Sequence, residues 1–387
     1  MTSSSTWTHE QLALQDTTRE FVRREVTPHL QRWEDDTTVP RELHVAAAKI
    51  GLLGIGFAED VGGQGGSLLD SVAMQEAFFE EGGSSGLAAA LFTGGIALPH
   101  IAAHGTPDLI DAFVRPTLAG EKIGSLAVTE PGGGSDVAGI RTRAVLDGDS
   151  YVVNGAKTFI TSGVRADFVT TAVRTGDPAT HPGHAGISLL VVEKGTPGFT
   201  VDRALAKMGW HCSDTAELSF VDVRVPAANL VGGENSGFYL IAEQFVVERI
   251  ALAVHAYGIA ARSLQLAASY ARERTAFGKP LIANQVVRHQ LVEMHRQVEV
   301  ARTYTRSIAA RHDAGEGVIA EACLAKQTAV EACTHVVDRA VQLHGGAGYM
   351  HGSEVERHYR DARILGIGGG ATEVLADLSA RLLGYTP

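Results

Sequence analysis

Glu248 lies in Val246-Val247-Glu248-Arg249-Ile250, inside a long apolar helical run. A carboxylate there has two options: a partner neutralises it, or lost hydration raises its proton affinity and makes it a base. Gln244, Phe245, Ala251 and Leu252 share its helix face, a largely apolar lining suited to an aliphatic ligand. A second stretch with chemical potential is Leu126-Ala127-Val128-Thr129-Glu130-Pro131-Gly132-Gly133-Gly134-Ser135-Asp136. Three glycines after a β-type run let a ligand approach the backbone closely. The glycines alone read equally well as a flexible loop.

Three segments must position these residues. Residues 1–124 are mostly helical, with apolar three- and four-residue spacing over Gln11–Val26 and Arg41–Leu53 and Gly-rich joints such as 61–66. Residues 125–235 carry short β-type runs at Ser125–Thr129, Tyr151–Val153, Phe168–Val173, Ile187–Val192 and Glu217–Val223. Asp147-Gly148-Asp149 and Asn154-Gly155 are expected to be hairpin turns between such runs. Residues 236–387 return to long amphipathic helices over Phe238–Ala276, Gln285–Ala314 and Val318–Leu343, which suggest a bundle with surface left for oligomer contacts. The class is α+β, in the order α, β, α. Alternating βα units are absent, so a doubly wound nucleotide fold is not indicated.

Composition narrows the function. A formal net charge of −11 without a Lys/Arg run argues against nucleic acid as a partner. Cys212, Cys323 and Cys333 form neither a disulfide framework nor a metal site, and a reducing, cytoplasmic setting fits. The tail Met1–Thr6 lacks the basic-then-apolar order of a signal peptide, and no run of eighteen apolar residues suggests a membrane span. The 16 histidines are scattered without H-E-x-x-H, so no metal role is expected. Gly366-Ile367-Gly368-Gly369-Gly370-Ala371 matches a dinucleotide fingerprint, but the chain is too short beyond it for the required helix, strand and acidic residue.

Further motifs follow in order: 154–163 (Asn-Gly-Ala-Lys-Thr-Phe-Ile-Thr-Ser-Gly), Lys207-Met208-Gly209-Trp210, 272–280 (Arg-Glu-Arg-Thr-Ala-Phe-Gly-Lys-Pro), 342–349 (Gln-Leu-His-Gly-Gly-Ala-Gly-Tyr) and Arg360-Asp361-Ala362-Arg363. Together with 126–136 they resemble the acyl-CoA dehydrogenase family over about residues 9–385. The resemblance implies an N-terminal α-helical domain, a central β domain and a C-terminal four-helix bundle. It also implies FAD. Leu126, Val128 and Thr129 then line the flavin ring, and Phe159, Ile160 and Thr161 cover another side. Leu126 stands where many relatives have an aromatic residue, and Phe159 replaces a frequent Trp; both keep an apolar wall. Arg274 resembles the arginine that reaches the FAD pyrophosphate of a neighbouring subunit. Phe277, Gln285, Gln342, Gly345, Gly346 and Thr372 correspond to further FAD contacts. Sharing FAD across subunits implies a homo-oligomer, with a tetramer expected. Ser135, Arg249 and Gly368 resemble groups that touch the acyl-CoA; the alternative for Arg249 is a structural ion pair with an acid.

One departure is informative. Most relatives place the catalytic glutamate near the C-terminus, at the position held here by Gly369. A minority branch, including isovaleryl-CoA and long-chain enzymes, carries it on a bundle helix, 26 residues before the pyrophosphate arginine. Counting 26 back from Arg274 reaches Glu248. The resemblance then implies that Glu248 abstracts the α-proton of a thioester while the β-hydrogen leaves as hydride to flavin N5. The Gly369 N–H and an FAD ribityl hydroxyl hold the thioester oxygen, and the product is a trans-2-enoyl-CoA. Gly369 leaves room for Glu248, and the glycines at 368–370 favour a branched or medium-to-long acyl chain. Family analogy supplies an electron-transfer flavoprotein as acceptor. A flavin oxidase or monooxygenase on the same fold, a non-catalytic acyl-CoA-binding homologue and a carrier-protein-bound substrate stay open.

Overall fold

The computed structural model describes residues 7–177 and 179–385; the tail Met1–Thr6 lies outside them. The first helix, His9–Phe21, opens with a capping box in which the Thr8 hydroxyl accepts from Gln11 N and the Gln11 side chain accepts from Thr8 N. Arg41–Lys49 ends four residues before the expected limit, at a turn through Gly51, whose φ of +82° suits only glycine well. Leu68–Glu80 is also boxed at its start, by Ser67 and Asp70. It packs against the first helix and two bundle helices, so the N-terminal segment is fastened directly to the bundle.

The central segment forms one sheet. Its strands are β1 Gly124–Ala127, β2 Arg143–Asp147, β3 Ser150–Thr161, β4 Phe168–Arg174, β5 Ile187–Glu193, β6 Phe199–Ala204, β7 Thr215–Pro226 and β8 Leu230–Val231. The order is β6-β7-β3-β2-β4-β5-β8, with β1 parallel on β4 (Leu126 opposite Thr170). The central strands β4 and β5 are buried over six consecutive residues each, as expected for strands covered on both faces. Asp147-Gly148-Asp149 does turn the chain between β2 and β3, with Gly148 at φ +66°.

Asn154-Gly155 does not form a hairpin turn. It lies inside β3, where the register against β7 shifts between Val153 and Gly155. Two constraints produce this bulge. The Asn154 amide pairs across the sheet with Asp222, donating to Oδ1 at 3.1 Å and accepting from its N–H at 2.9 Å. A Cβ at 155 would stand 2.5 Å from Thr142 Oγ1, so the position needs glycine for close approach.

The C-terminal segment is built on Gly237–Glu273, Gln285–Asp313 and Ile319–His344, which pack on one another. Two short helices complete the bundle: Glu354–Ala362 packs on the first and third, Thr372–Leu382 on the third. The loop 363–371 between these short helices carries Gly366 and the three successive glycines 368–370. Residues 366–371 follow a 3-10 turn rather than a strand, so the dinucleotide reading has no strand to stand on. Among the described residues, no single helix is long and apolar enough to cross a membrane.

Candidate active site

A cavity of about 1320 Å³ opens where the three segments meet. The sheet contributes Leu126, Val128, Thr129, Gly132–Ser135 and Phe159–Thr161; the 37-residue helix contributes Gln244, Phe245, Glu248, Arg249, Leu252 and His255; the glycine loop contributes Ile367–Ala371. Strand alternation explains the sheet side. In β1 and the residues after it, Ser125 and Ala127 are buried in the sheet while Leu126 and Val128 face the cavity.

Two wall segments are tied together. Thr158 N donates to Thr129 O at 2.9 Å, and Ser125 Oγ donates to Thr161 O at 2.5 Å. Beneath them Lys157, fully buried, donates to Val128 O at 3.0 Å and to Glu130 Oε1 at 2.8 Å. Glu130 also accepts from the N–H groups of Arg141 and Thr142. Burial lowers the Lys157 pKa to about 8, opposed by Glu130; burial raises the Glu130 carboxyl, but the Lys157 charge and the donors bring it net below its usual range. Neither residue figured in the sequence reading as a support. Phe159 adopts φ +59° at the second register shift of β3 and is 67% exposed, an unfavourable state for an aromatic residue held where its ring meets the cavity.

This wall fits an isoalloxazine. It offers a flat apolar surface from Leu126, Val128 and Phe159, beside the Thr129 and Thr161 hydroxyls, which donate to no partner among the described residues. A Cβ at Gly132 or Gly133 would meet nothing within 4 Å, so backbone there is open to close approach.

Opposite stands Glu248. No ion pair or hydrogen bond engages its carboxylate among the described residues. It is only partly exposed, and that surface belongs to the cavity wall. Burial raises its pKa above the usual carboxylate value, while the Lys326 and Arg249 charges oppose the rise. Among the described residues Arg249 forms no salt bridge: its guanidinium lies 5.1 Å from the Phe245 ring centroid, and its Nε has no partner there. The bland reading of the pair, an arginine neutralising a buried acid, is therefore not realised.

Gly369 adjoins the carboxylate. A Cβ built there would stand 3.2 Å from Glu248 Oε1 and 2.2 Å from Leu252 Cδ1. Its φ is +63°, and its N–H meets no acceptor among the described residues. The loop is held by Lys326, only 1% exposed, whose ammonium donates to the carbonyls of Gly368 and Gly370 (2.7 Å to the latter). Lys326 was missed in the sequence, although Ala322, Lys326, Ala329 and Cys333 form an otherwise apolar stripe at helical spacing.

Family models match most of the chain: the acyl-CoA dehydrogenase N-terminal domain over 8–121, the middle domain over 125–223 and the C-terminal domain over 235–384. The chain belongs to the acyl-CoA dehydrogenase family. It is accordingly an FAD-dependent oxidoreductase with the three-domain fold of that family. It is 40% identical to the mitochondrial long-chain specific acyl-CoA dehydrogenase of Rattus norvegicus over 95% of this chain and 84% of that protein. A probable acyl-CoA dehydrogenase structure from Mycobacterium abscessus is 62% identical, with a TM-score of 0.95, covering 97% of this chain and 99% of that one. An acyl-CoA dehydrogenase structure from Geobacillus kaustophilus is 39% identical, with a TM-score of 0.94, covering 98% and 100%.

Not every residue assigned from the family pattern lies at the cavity. Ser135, Arg249 and Gly368 do. Arg274, Phe277, Gln285, Gln342, Gly345 and Gly346 do not; all are exposed and sit at one end of the bundle, where Tyr270 stacks on His344 at 4.4 Å. Thr372 is the first residue of its helix, just beyond the lining residue Ala371. Among the described residues, no group of three or more His, Cys, Asp or Glu gathers as a metal site.

Proposed function

We propose that this acyl-CoA dehydrogenase family member converts an acyl-CoA to its trans-2-enoyl-CoA with Glu248 as the base. The observation that carries the reading is the Glu248 carboxylate, without an ion pair or hydrogen bond among the described residues, beside the side-chain-free Gly369. Burial makes Glu248 a stronger base than a solvated carboxylate, and the α-proton of a thioester demands one. The Gly369 N–H, without an acceptor among the described residues, receives the thioester oxygen as negative charge develops on it. Leu252, Phe245 and the N-terminal segment exclude water around the acyl chain. FAD, when bound against Leu126–Thr129 and Phe159–Thr161, supplies the oxidising power by accepting the β-hydrogen as hydride.

The exposed bundle end supports an oligomer. Arg274 is 26 residues beyond Glu248, about 39 Å along the helix axis. A phosphate-binding arginine there serves the cavity of another copy, so the reading includes a homotetramer that shares FAD between subunits. Phe277, fully exposed in the single chain, suits such a contact. A cytoplasmic location, consistent with three buried free thiols, and an electron-transfer flavoprotein as acceptor complete the proposal. The cavity size, together with the long-chain name of the rat relative, favours a medium-to-long or branched acyl group.

Anaerobic titration of the FAD-loaded protein with butyryl- through palmitoyl-CoA tests the activity. Bleaching of the oxidised flavin band and appearance of the enoyl thioester are expected. No bleaching by any thioester would leave only a binding role, and rapid reoxidation by oxygen would favour an oxidase.

A further inference from the structure

We propose that Lys326 is a positioning residue for this reaction: it fixes the Gly368–Gly370 turn so that the Gly369 N–H is presented beside Glu248. The inference rests on the dehydrogenase reading above. Three successive glycines have the largest backbone freedom a chain can carry, and Gly369 and Gly370 both occupy positive φ, +63° and +97°. The turn's own bonds do not restrain it where it matters. Ile367 and Gly368 N–H donate to Ile364 O, the Thr372 hydroxyl reaches across to Gly366 O at 3.4 Å, and the next backbone bond, Leu375 N–H to Ala371 O, begins beyond the turn, so none of them holds a polar group of Gly369 or Gly370. The two carbonyls that flank Gly369 are instead held by one ammonium from a neighbouring helix.

That ammonium is an unusual anchor. Lys326 is almost fully buried and forms no salt bridge among the described residues, so its charge is not cancelled by contact with an acid. Burial brings its pKa down to about 8, with Glu248 opposing the fall. The same charge opposes the rise in Glu248 proton affinity. A buried cation linked to the oxyanion donor through two carbonyl bonds orders that donor before substrate arrives. Its field also favours the ionised base and the negative charge that grows on the thioester oxygen. In this role Lys326 transfers no proton and touches no reacting atom.

The test uses the FAD-loaded wild type, Lys326→Met and Lys326→Gln. Hydrogen exchange of the peptide covering 366–372 is read without substrate, and flavin reduction is followed anaerobically with whichever acyl-CoA the wild type prefers. Direct loss of an oxyanion donor costs about 10²–10³-fold. Loosening one through Lys326→Met is therefore expected to slow reduction at saturating thioester roughly 10- to 100-fold, with little change in thioester affinity. Exchange in 366–372 is expected to speed up, and Lys326→Gln, which retains donors, to recover part of both. Unchanged exchange in 366–372, or an unchanged reduction rate, overturns the assignment. If Lys326→Met does not fold, Lys326→Gln carries the same comparison against wild type. A wild type inert to every thioester fails the dehydrogenase reading itself; unaltered variants in an active background fail only the role of Lys326.

Discussion

The Glu248 Oε1 atom lies 3.2 Å from the place a Gly369 side chain would begin, although the two residues come from different elements 121 positions apart. Two points on the fold thus address one small volume, and only one of them holds a carboxylate. The Leu252 methyl group fills most of the remaining space, at 2.2 Å from the same point. The vacancy at 369 is therefore already committed to the packing around Glu248.

Gly369→Ala tests that packing. Alanine at φ +63° is strained by about 1 kcal/mol, and its methyl must displace Leu252. A loss of roughly 1–3 kcal/mol in stability is expected by denaturant titration. Flavin reduction should slow more than stability explains, because the shifted turn carries the unpartnered N–H.

The pH dependence of kcat/KM reports the base. Glu248 must be ionised to accept a proton, and burial raises its pKa above the usual carboxylate value. Activity is therefore lost as pH falls through a value higher than that of a solvated glutamate. Removing the opposing charge by Lys326→Gln should move this acidic limb higher still. A limb at or below the ordinary glutamate range would contradict the burial argument.

A second buried carboxyl governs stability. Asp361 accepts from Trp210 N at 2.6 Å, lies beside the buried Glu34, and is pushed up to about 7 by burial and by that neighbour. The folded state thus prefers the protonated acid. Its contribution is fully present below the ordinary value of 3.8 and is lost as pH rises through about 7. Asp361→Asn keeps the acceptor and removes the titration. It should flatten the melting temperature between pH 5 and 8 and add on the order of 1–3 kcal/mol at pH 8.

Arg274 tests the oligomer. Its guanidinium is exposed in the single chain, far from the Glu248 cavity. Arg274→Gln should weaken FAD retention on gel filtration about 10- to 100-fold, the scale of one charge-assisted phosphate bond, while the melting temperature of the flavin-free protein stays within a degree or two. Unaltered retention would remove the arginine from the cofactor site.

The helices and the sheet were readable because their periodicities are long and clean: the bundle helices fall within a few residues of Phe238–Ala276, Gln285–Ala314 and Val318–Leu343. The proximity of Glu248 and Gly369 was readable from spacing to Arg274 combined with the family pattern. Local turn chemistry misled at Asn154-Gly155, because the pair serves equally well in a bulge when a partner such as Asp222 lies across the sheet. Lys326 and Lys157 escaped notice for a shared reason. Each is a buried cation whose acceptors are backbone carbonyls or an acid distant in sequence, and a helix or strand pattern does not announce such partners. Strands β2 and β6 were passed over because they are short and mostly exposed, without the longer apolar runs of β4 and β5.

Glu248→Gln is the decisive variant, since the amide keeps the shape of the side chain and removes the base. The measurement is the anaerobic rate of flavin reduction by the preferred acyl-CoA, with flavin content and melting temperature confirmed equal to wild type. A fall of at least about 10³-fold is predicted, within the range general-base catalysis supplies. Reduction at the wild-type rate would show that the proton leaves by another route and that the carboxylate beside Gly369 is not the base.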